Sequence, residues 1–317
     1  MSSTVEQLDA NNLEMAMEMS AKPPSTLSLF WKEIYNDKLA LIGFILFFVL
    51  LISVTIGSAI ITTPAVTRVN LAHSLLAPSW TAAGRAHGVE GLIFGTDVGG
   101  RDVFGYLVIG ARNSLFIGFS VSIISIIIGF VIGLISGFYG GHVDNVIQRI
   151  VDTWTIMPGL MFIIALITAT GNRTIWHMIM YLTIFSWMGR VRQIRARTLQ
   201  QRNLDYVSAS RTLGTYNLVI IYREIVPNLI PIMSANVVLT LAASVGMETG
   251  LTMLGFGLEF GTPSIGNLIA YAMEARHLQF GWWLWFPAIL SMFILMLCIN
   301  FVGRAVSRAA DPKQRLV

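Results

Sequence analysis

The stretch Ser114–Phe138, SLFIGFSVSIISIIIGFVIGLISGF, runs for 25 residues without Asp, Glu, Lys or Arg. A helix rises about 1.5 Å per residue, so about 20 such residues cross a hydrocarbon core about 30 Å thick. The stretch therefore reads as a membrane span. Along it Ser125, Gly129, Gly133 and Gly137 recur every fourth residue, and Gly141 continues the series. That spacing collects small residues on one helix face, where a second helix approaches closely. It reads as the packing seam of a multi-helix bundle rather than as a hinge.

Working outward, the same test gives spans at Leu39–Thr62 and at Thr153–Asn172, the latter carrying Pro158. A fourth lies at Thr174–Gly189, with Arg190 near its mouth. A fifth covers Ile225–Met247 and runs on past Glu248 to about Leu254. The sixth, Leu278–Gly303, opens with Trp282, Trp283, Trp285 and Phe286, residues suited to a membrane interface. The fold class is an all-α membrane protein with six transmembrane helices. Composition agrees: of 317 residues 55% are hydrophobic and 12% charged, half the usual charged share. The mean hydropathy is +0.69. A soluble enzyme, a disordered tail protein and a disulfide-stapled secreted domain are excluded. The single cysteine, Cys298, allows neither an internal disulfide nor a CxxC site.

Lys and Arg set the orientation. With the N-terminus inside, the inner segments hold 15 of them and the outer segments 6. This bias puts both termini in the cytoplasm, and explains a net charge of +4 without nucleic acid. The expected organisation is a mobile cytoplasmic tail over residues 1–28, a first helix with its preceding segment over 29–62, and an extracytoplasmic loop over 63–112. A five-helix domain over 113–304 follows, containing a cytoplasmic loop at 190–224, and a cytoplasmic tail over 305–317 ends the chain. No cleavable signal peptide is expected, since the segment before the first span has no early apolar run of its own.

Chemistry by this chain alone is not indicated. None of its four lysines follows a glycine, so there is no GK[ST] phosphate loop. HExxH and GxSxG are absent, and the five histidines show no metal-ligand spacing. No metal or cofactor is expected on the chain. Two carboxylates stand in spans: Asp152 at the head of the third and Glu248 inside the fifth. They read as structural pairing or as the polar lining of a pathway, ahead of a proton relay. In the outer loop Gly95, Thr96, Asp97, Gly100, Arg101 and Asp102 form a compact motif. Its opposite charges read as a solvated pair that fixes the loop locally rather than as a substrate ligand.

The segment 190–224 is the most informative, with seven arginines. Asp205 is placed to N-cap a helix whose apolar stripe is Tyr206, Ala209, Leu213 and Val207, and Gly214 to end it. A second short helix runs from Tyr216 to Glu224, stopped by Pro227. A merely solvated positive loop needs neither the stripe nor the glycine, so a protein is expected to dock here.

These residues resemble the "EAA" loop of ABC-importer permeases. Asp205-Tyr206-Val207-Ser208-Ala209-Ser210-Arg211-Thr212-Leu213-Gly214, with Pro227 thirteen positions later, matches the family at Ala209, Gly214 and Pro227. The family's Glu is Ser208 here, its second Ala is Ser210, and the Ile and Leu of its tail are Glu224 and Val226. Phe94-Gly95-Thr96-Asp97-Val98-Gly99-Gly100-Arg101-Asp102-Val103 and Gly110-Ala111-Arg112-Asn113-Ser114-Leu115 are similar to the LGTD-x-x-GRD…GAR-x-SL block of dipeptide/oligopeptide permeases. Leu254-Gly255-Phe256-Gly257-Leu258 with Thr262-Pro263-Ser264-Ile265-Gly266 resembles their LGLG-x…TPSWG block, Ile265 replacing Trp. The match runs from about residue 30 to Asp311-Pro312 and is nearest to the "C" subunit. The resemblance implies a type I ABC-importer permease fold in the cell membrane, with residues 205–224 as the coupling element. It also implies a second permease subunit forming a heterodimer, two cytoplasmic ATPase subunits carrying ATP and Mg, an extracellular substrate-binding lipoprotein, and a peptide substrate. The alternatives are an importer of nickel or glutathione, a proton-coupled secondary transporter, or a sensory or scaffold membrane protein.

Overall fold

The computed structural model describes residues 31, 34–81, 91–259, 261–273 and 281–309. The expected tail over 1–28, the cations Arg85 and Arg276, the start of the sixth span at Leu278 and residues 310–317 lie outside the described residues. Helix α1, Lys38–Ile60, starts where the Asp37 carboxylate accepts from the backbone of Leu39 and Ala40 at 3.0 and 3.2 Å. Asp37 also receives Arg308 from the far end of the chain, which bolts the start of α1 to the end of the last helix.

Helix α2, Val103–Tyr139, is 37 residues long and opens eleven residues before Ser114. The apolar run marks only its inner stretch. The Asp102 side chain caps it by accepting from Gly105 at 2.9 Å, so the part of the outer loop at 103–112 is helical. At Gly140 the chain reverses into α3, Gly141–Ile156, which breaks at Met157-Pro158 and bends by 78° into α4, Gly159–Thr170. The expected third span is thus a bent helix pair. The physical reason is Pro158, which lacks an N–H and disfavours helical geometry in the residue before it; Met157 is extended, at φ −70° and ψ 133°.

Helix α5, Ile175–Ser186, has 12 residues and passes through Trp187 into the basic helix α6, Met188–Arg202. Then come α7, Asp205–Thr212, and α8, Asn217–Met253. After a short inserted helix, α9, Ile265–Ala272, the chain ends in α10, Trp282–Ala309, which continues past Gly303. Four helices (α1, α2, α8, α10) are long and apolar enough to cross a membrane, and the bent pair makes a fifth. The sixth crossing requires α5 to continue into the first turns of α6.

Two expectations at the basic segment are corrected. Asp205 is the first helical residue and not the cap, a position Leu204 takes without a side-chain bond. Pro227 does not stop a helix. The backbone widens into a π-turn at Ile221–Ile225, where Val226 N–H reaches the Ile221 carbonyl, and α8 runs on. The shifted register places Pro227 in a new first turn, where a missing N–H breaks nothing. The Asn228 amide takes the Glu224 carbonyl at 2.7 Å.

Packing follows the small residues. A Cβ on Gly129, Gly133 or Gly137 would lie 2.4–2.7 Å from Arg190 Cβ, the Val191 carbonyl oxygen and Thr198 Cβ. These three glycines therefore seat α6 against α2. Gly141 lies beyond the helix end, at φ +55° with nothing within 4 Å, and is outside the seam. Gly118 meets Val245 and Leu241 of α8, and Gly43 meets Phe301 of α10. The largest core joins Tyr106, Leu241, Leu268, Leu284 and Ile299 from α2, α8, α9 and α10.

Candidate functional site

At the end of the bundle where α2 terminates, α7 and the start of α8 form a hairpin. Gly214 turns it at φ +80°, a left-handed geometry that disfavours branched side chains. Val207 is fully buried and packs with Leu134 and Phe138 of α2, Ile194 of α6, and Ile220, Ile225 and Leu229 of α8. One residue of the hairpin thereby shares a core with three helices. The outward surface is open and mixed, with Asp205, Arg211 and Thr212 exposed beside apolar residues. Ala209, Ser208 and Gly214 are exposed, and Leu213 and Tyr216 are 85% and 83% exposed. Tyr206 is also exposed; its hydroxyl donates to Gln201 at 2.7 Å, and partial burial pushes its pKa above the ordinary tyrosine value.

Two sequence departures from the EAA pattern meet here. Ser210 Oγ donates to the Glu224 carboxylate and lies within reach of Thr215 Oγ1 at 3.4 Å. The two arms of the hairpin are joined by this bond, which no local spacing announces. Behind the hairpin, Arg195 of α6 forks onto Asp144 of α3 with both bonds at 2.5 Å, and Ser136 of α2 donates to the same carboxylate. Asp152 pairs with Arg192 at 2.6 Å on an exposed surface, both more than two-fifths accessible.

At the opposite end, Glu248 is wholly buried in α8. Ser114 Oγ donates to it at 3.0 Å and Thr252 Oγ1 at 3.1 Å. The Asn113 amide donates to the Pro263 carbonyl at 2.8 Å, and the Ser264 hydroxyl caps α9 by accepting from Asn267 at 3.0 Å. Two of the blocks singled out in the sequence, 150 residues apart, are therefore in direct contact.

The outer loop motif is a buried latch. Asp97 and Arg101 pair at 2.7 Å with side chains 1% exposed, so the expected solvated pair is corrected to a buried one. The Asp97 carboxylate also accepts from the backbone of Gly99 and Arg101 at 2.9 Å each. Gly100 sits at φ +71°, and a Cβ there would lie 1.8 Å from the Asn70 carbonyl oxygen. A Cβ on Gly95 would lie 2.3 Å from the Leu76 carbonyl oxygen. Thr96 Oγ1 accepts from Leu76 N–H at 2.8 Å, and Trp283 of α10 donates to the Thr96 carbonyl at 3.2 Å. Asp102 takes no part in the ion pair; its carboxylate caps α2, and burial pushes it above the usual carboxylate range.

Comparison with known proteins completes the description. Residues 129–316 match the family described as "Binding-protein-dependent transport system inner membrane component". The chain is 40% identical over 283 residues to the oligopeptide transport system permease protein OppC of Lactococcus lactis subsp. cremoris, covering 89% of this chain and 93% of that protein. It is 31% identical to the dipeptide transport system permease protein DppC of Bacillus subtilis, over 90% and 85% of the two chains. A chain of the inward-facing MetNI methionine ABC transporter superposes with TM-score 0.55 at 19% identity, over 66% of this chain and 97% of that one. That likeness concerns the fold.

Proposed function

The chain belongs to the family of binding-protein-dependent transport system inner membrane components, and from that membership we propose that it forms half of the pathway of an ATP-driven peptide importer. It is a transport subunit and a component of the membrane. The peptide assignment is supported by relatives named as oligopeptide and dipeptide permeases along nearly the whole chain. In this reading both termini and the hairpin at 205–224 face the cytoplasm, and the loop at 63–102 faces outward. A second, related permease subunit completes the pathway. Two ATPase subunits carry ATP and Mg, and an extracellular binding lipoprotein delivers the peptide.

The observation that carries the coupling role is the hairpin itself, open outward with Ala209, Leu213 and Tyr216 exposed, yet packed inward through Val207 in one core with α2, α6 and α8. An ATPase seated on Ala209, Leu213 and Tyr216 would push three helices together. The test is Ala209→Asp in the assembled importer. Position 209 is exposed, so the chain keeps its fold. A charge buried without a partner at the contact costs about 2 kcal/mol or more. We expect the permease subunits to stay associated while the ATPases no longer co-purify and peptide uptake stops. Normal co-purification with normal uptake would refute the coupling assignment.

A further inference from the structure

Three arginines on α6 have different fates. Arg192 meets Asp152 and Arg195 meets Asp144. Arg190 meets no carboxylate among the described residues. Its Nη1 makes two long bonds to amide oxygens, 3.2 Å to Asn236 of α8 and 3.3 Å to Gln193. Its Nε is buried without a partner, and Nη2 makes no hydrogen bond among the described residues. The edge formed by Nε and Nη2 is the donor fork that matches a carboxylate with two parallel bonds. Here that fork is unfilled.

Arg190 borders a cavity of about 220 Å³ between α4, α5, α6 and α8, with Ser186, Thr240, Ser244, Ile163 and Leu182 on its walls. At about 30 Å³ per water, this space holds about seven waters and can admit a carboxylate with its flanking residue. Ala243 and Met247, also on its wall, are exposed, so the cavity opens at the surface of the subunit. Arg190 stands in the first turn of α6, four residues past the end of α5, at the inner mouth of the fourth span. A cation there with hydroxyls around it marks a route for polar cargo. The Arg190 Cβ is pressed against Gly129, which fixes the root of the side chain.

We infer that Arg190 binds the C-terminal carboxylate of the peptide in transit, a group every unmodified peptide carries whatever its sequence. This rests on the peptide-import reading above. The test uses the complete importer in proteoliposomes with its binding protein. Labelled peptides of two to six residues are offered as free acids and as C-terminal amides. The binding protein is the same throughout, so a change in the acid-to-amide rate ratio on mutating Arg190 belongs to the permease. Arg190→Gln keeps the packed Cβ and is expected to lower the ratio about tenfold by slowing the acids alone. Arg190→Lys, which keeps charge but not the fork, is expected to fall between. An unchanged ratio in Arg190→Gln, whether both rates fall together or neither does, overturns the inference and leaves peptide import standing. Failure of the unmutated importer to take up either set overturns both.

Discussion

Replacing Gly133 by Ala probes the seam on which the rest of the bundle depends. The added methyl carbon would lie 2.7 Å from the Val191 carbonyl oxygen and 3.0 Å from Ile194 Cβ. The first of these is backbone, so no side-chain rotation relieves it. Ordinary contact begins at 3.4 Å, so α6 must move about 0.7 Å from α2. A gap of about 0.5–1 Å forfeits a quarter to a half of each van der Waals contact along the seam. Overpacking of this kind costs about 1–3 kcal/mol, against which Ala in a helix returns about 0.5–1 kcal/mol. The net expectation is a loss of about 1–2 kcal/mol. For a chain of this size that lowers the melting midpoint by about 1.5–3 °C. Thermal unfolding of the purified importer followed by tryptophan fluorescence measures it. Gly189→Ala is the matched control, since a Cβ there meets nothing within 4 Å. If Gly133→Ala melts at the same temperature as Gly189→Ala, or higher, then α2 and α6 do not touch where described.

Other consequences are equally specific. Ser210→Ala removes the hydroxyl that donates to the Glu224 carboxylate and should cost about 1.5–3 kcal/mol. Ser210→Ala with Glu224→Ile should recover most of it, and strict additivity in this double-mutant cycle would show that the two side chains do not interact. Arg101→Ala leaves Asp97 buried and without its guanidinium partner, so a loss of about 3–5 kcal/mol is expected in the same melting assay; a loss under about 1 kcal/mol would mean the latch is solvated. Asp144→Asn weakens the acceptor on which the Arg195 fork and the Ser136 hydroxyl converge, so a loss of about 1.5–3 kcal/mol is expected in the same melting assay; an unchanged midpoint would exclude the pair.

Local pattern sufficed for much of this protein. Freedom from charge over helix-length runs located the spans, because the cost of burying ions in hydrocarbon acts residue by residue. The four-residue recurrence of glycine named three of the close-approach positions for the same reason, helix periodicity being a property of neighbours in sequence. What could not be read was decided by geometry between distant segments. Gly141 keeps the period yet leaves the seam, because Gly140 reverses the chain one residue earlier. Pro227 reads as a stop until the π-turn before it shifts the hydrogen-bond register. The partners Ser210 and Glu224, Asp144 and Arg195, and Asn113 and Pro263 are 14, 51 and 150 residues apart. Their meeting depends on which backbones come within a hydrogen bond of each other, and only the packed bundle sets that. The same holds for Arg190: its charge is plain in the sequence, but that no carboxylate among the described residues stands beside it, when Arg192 and Arg195 each have one, follows from which helices α6 packs against.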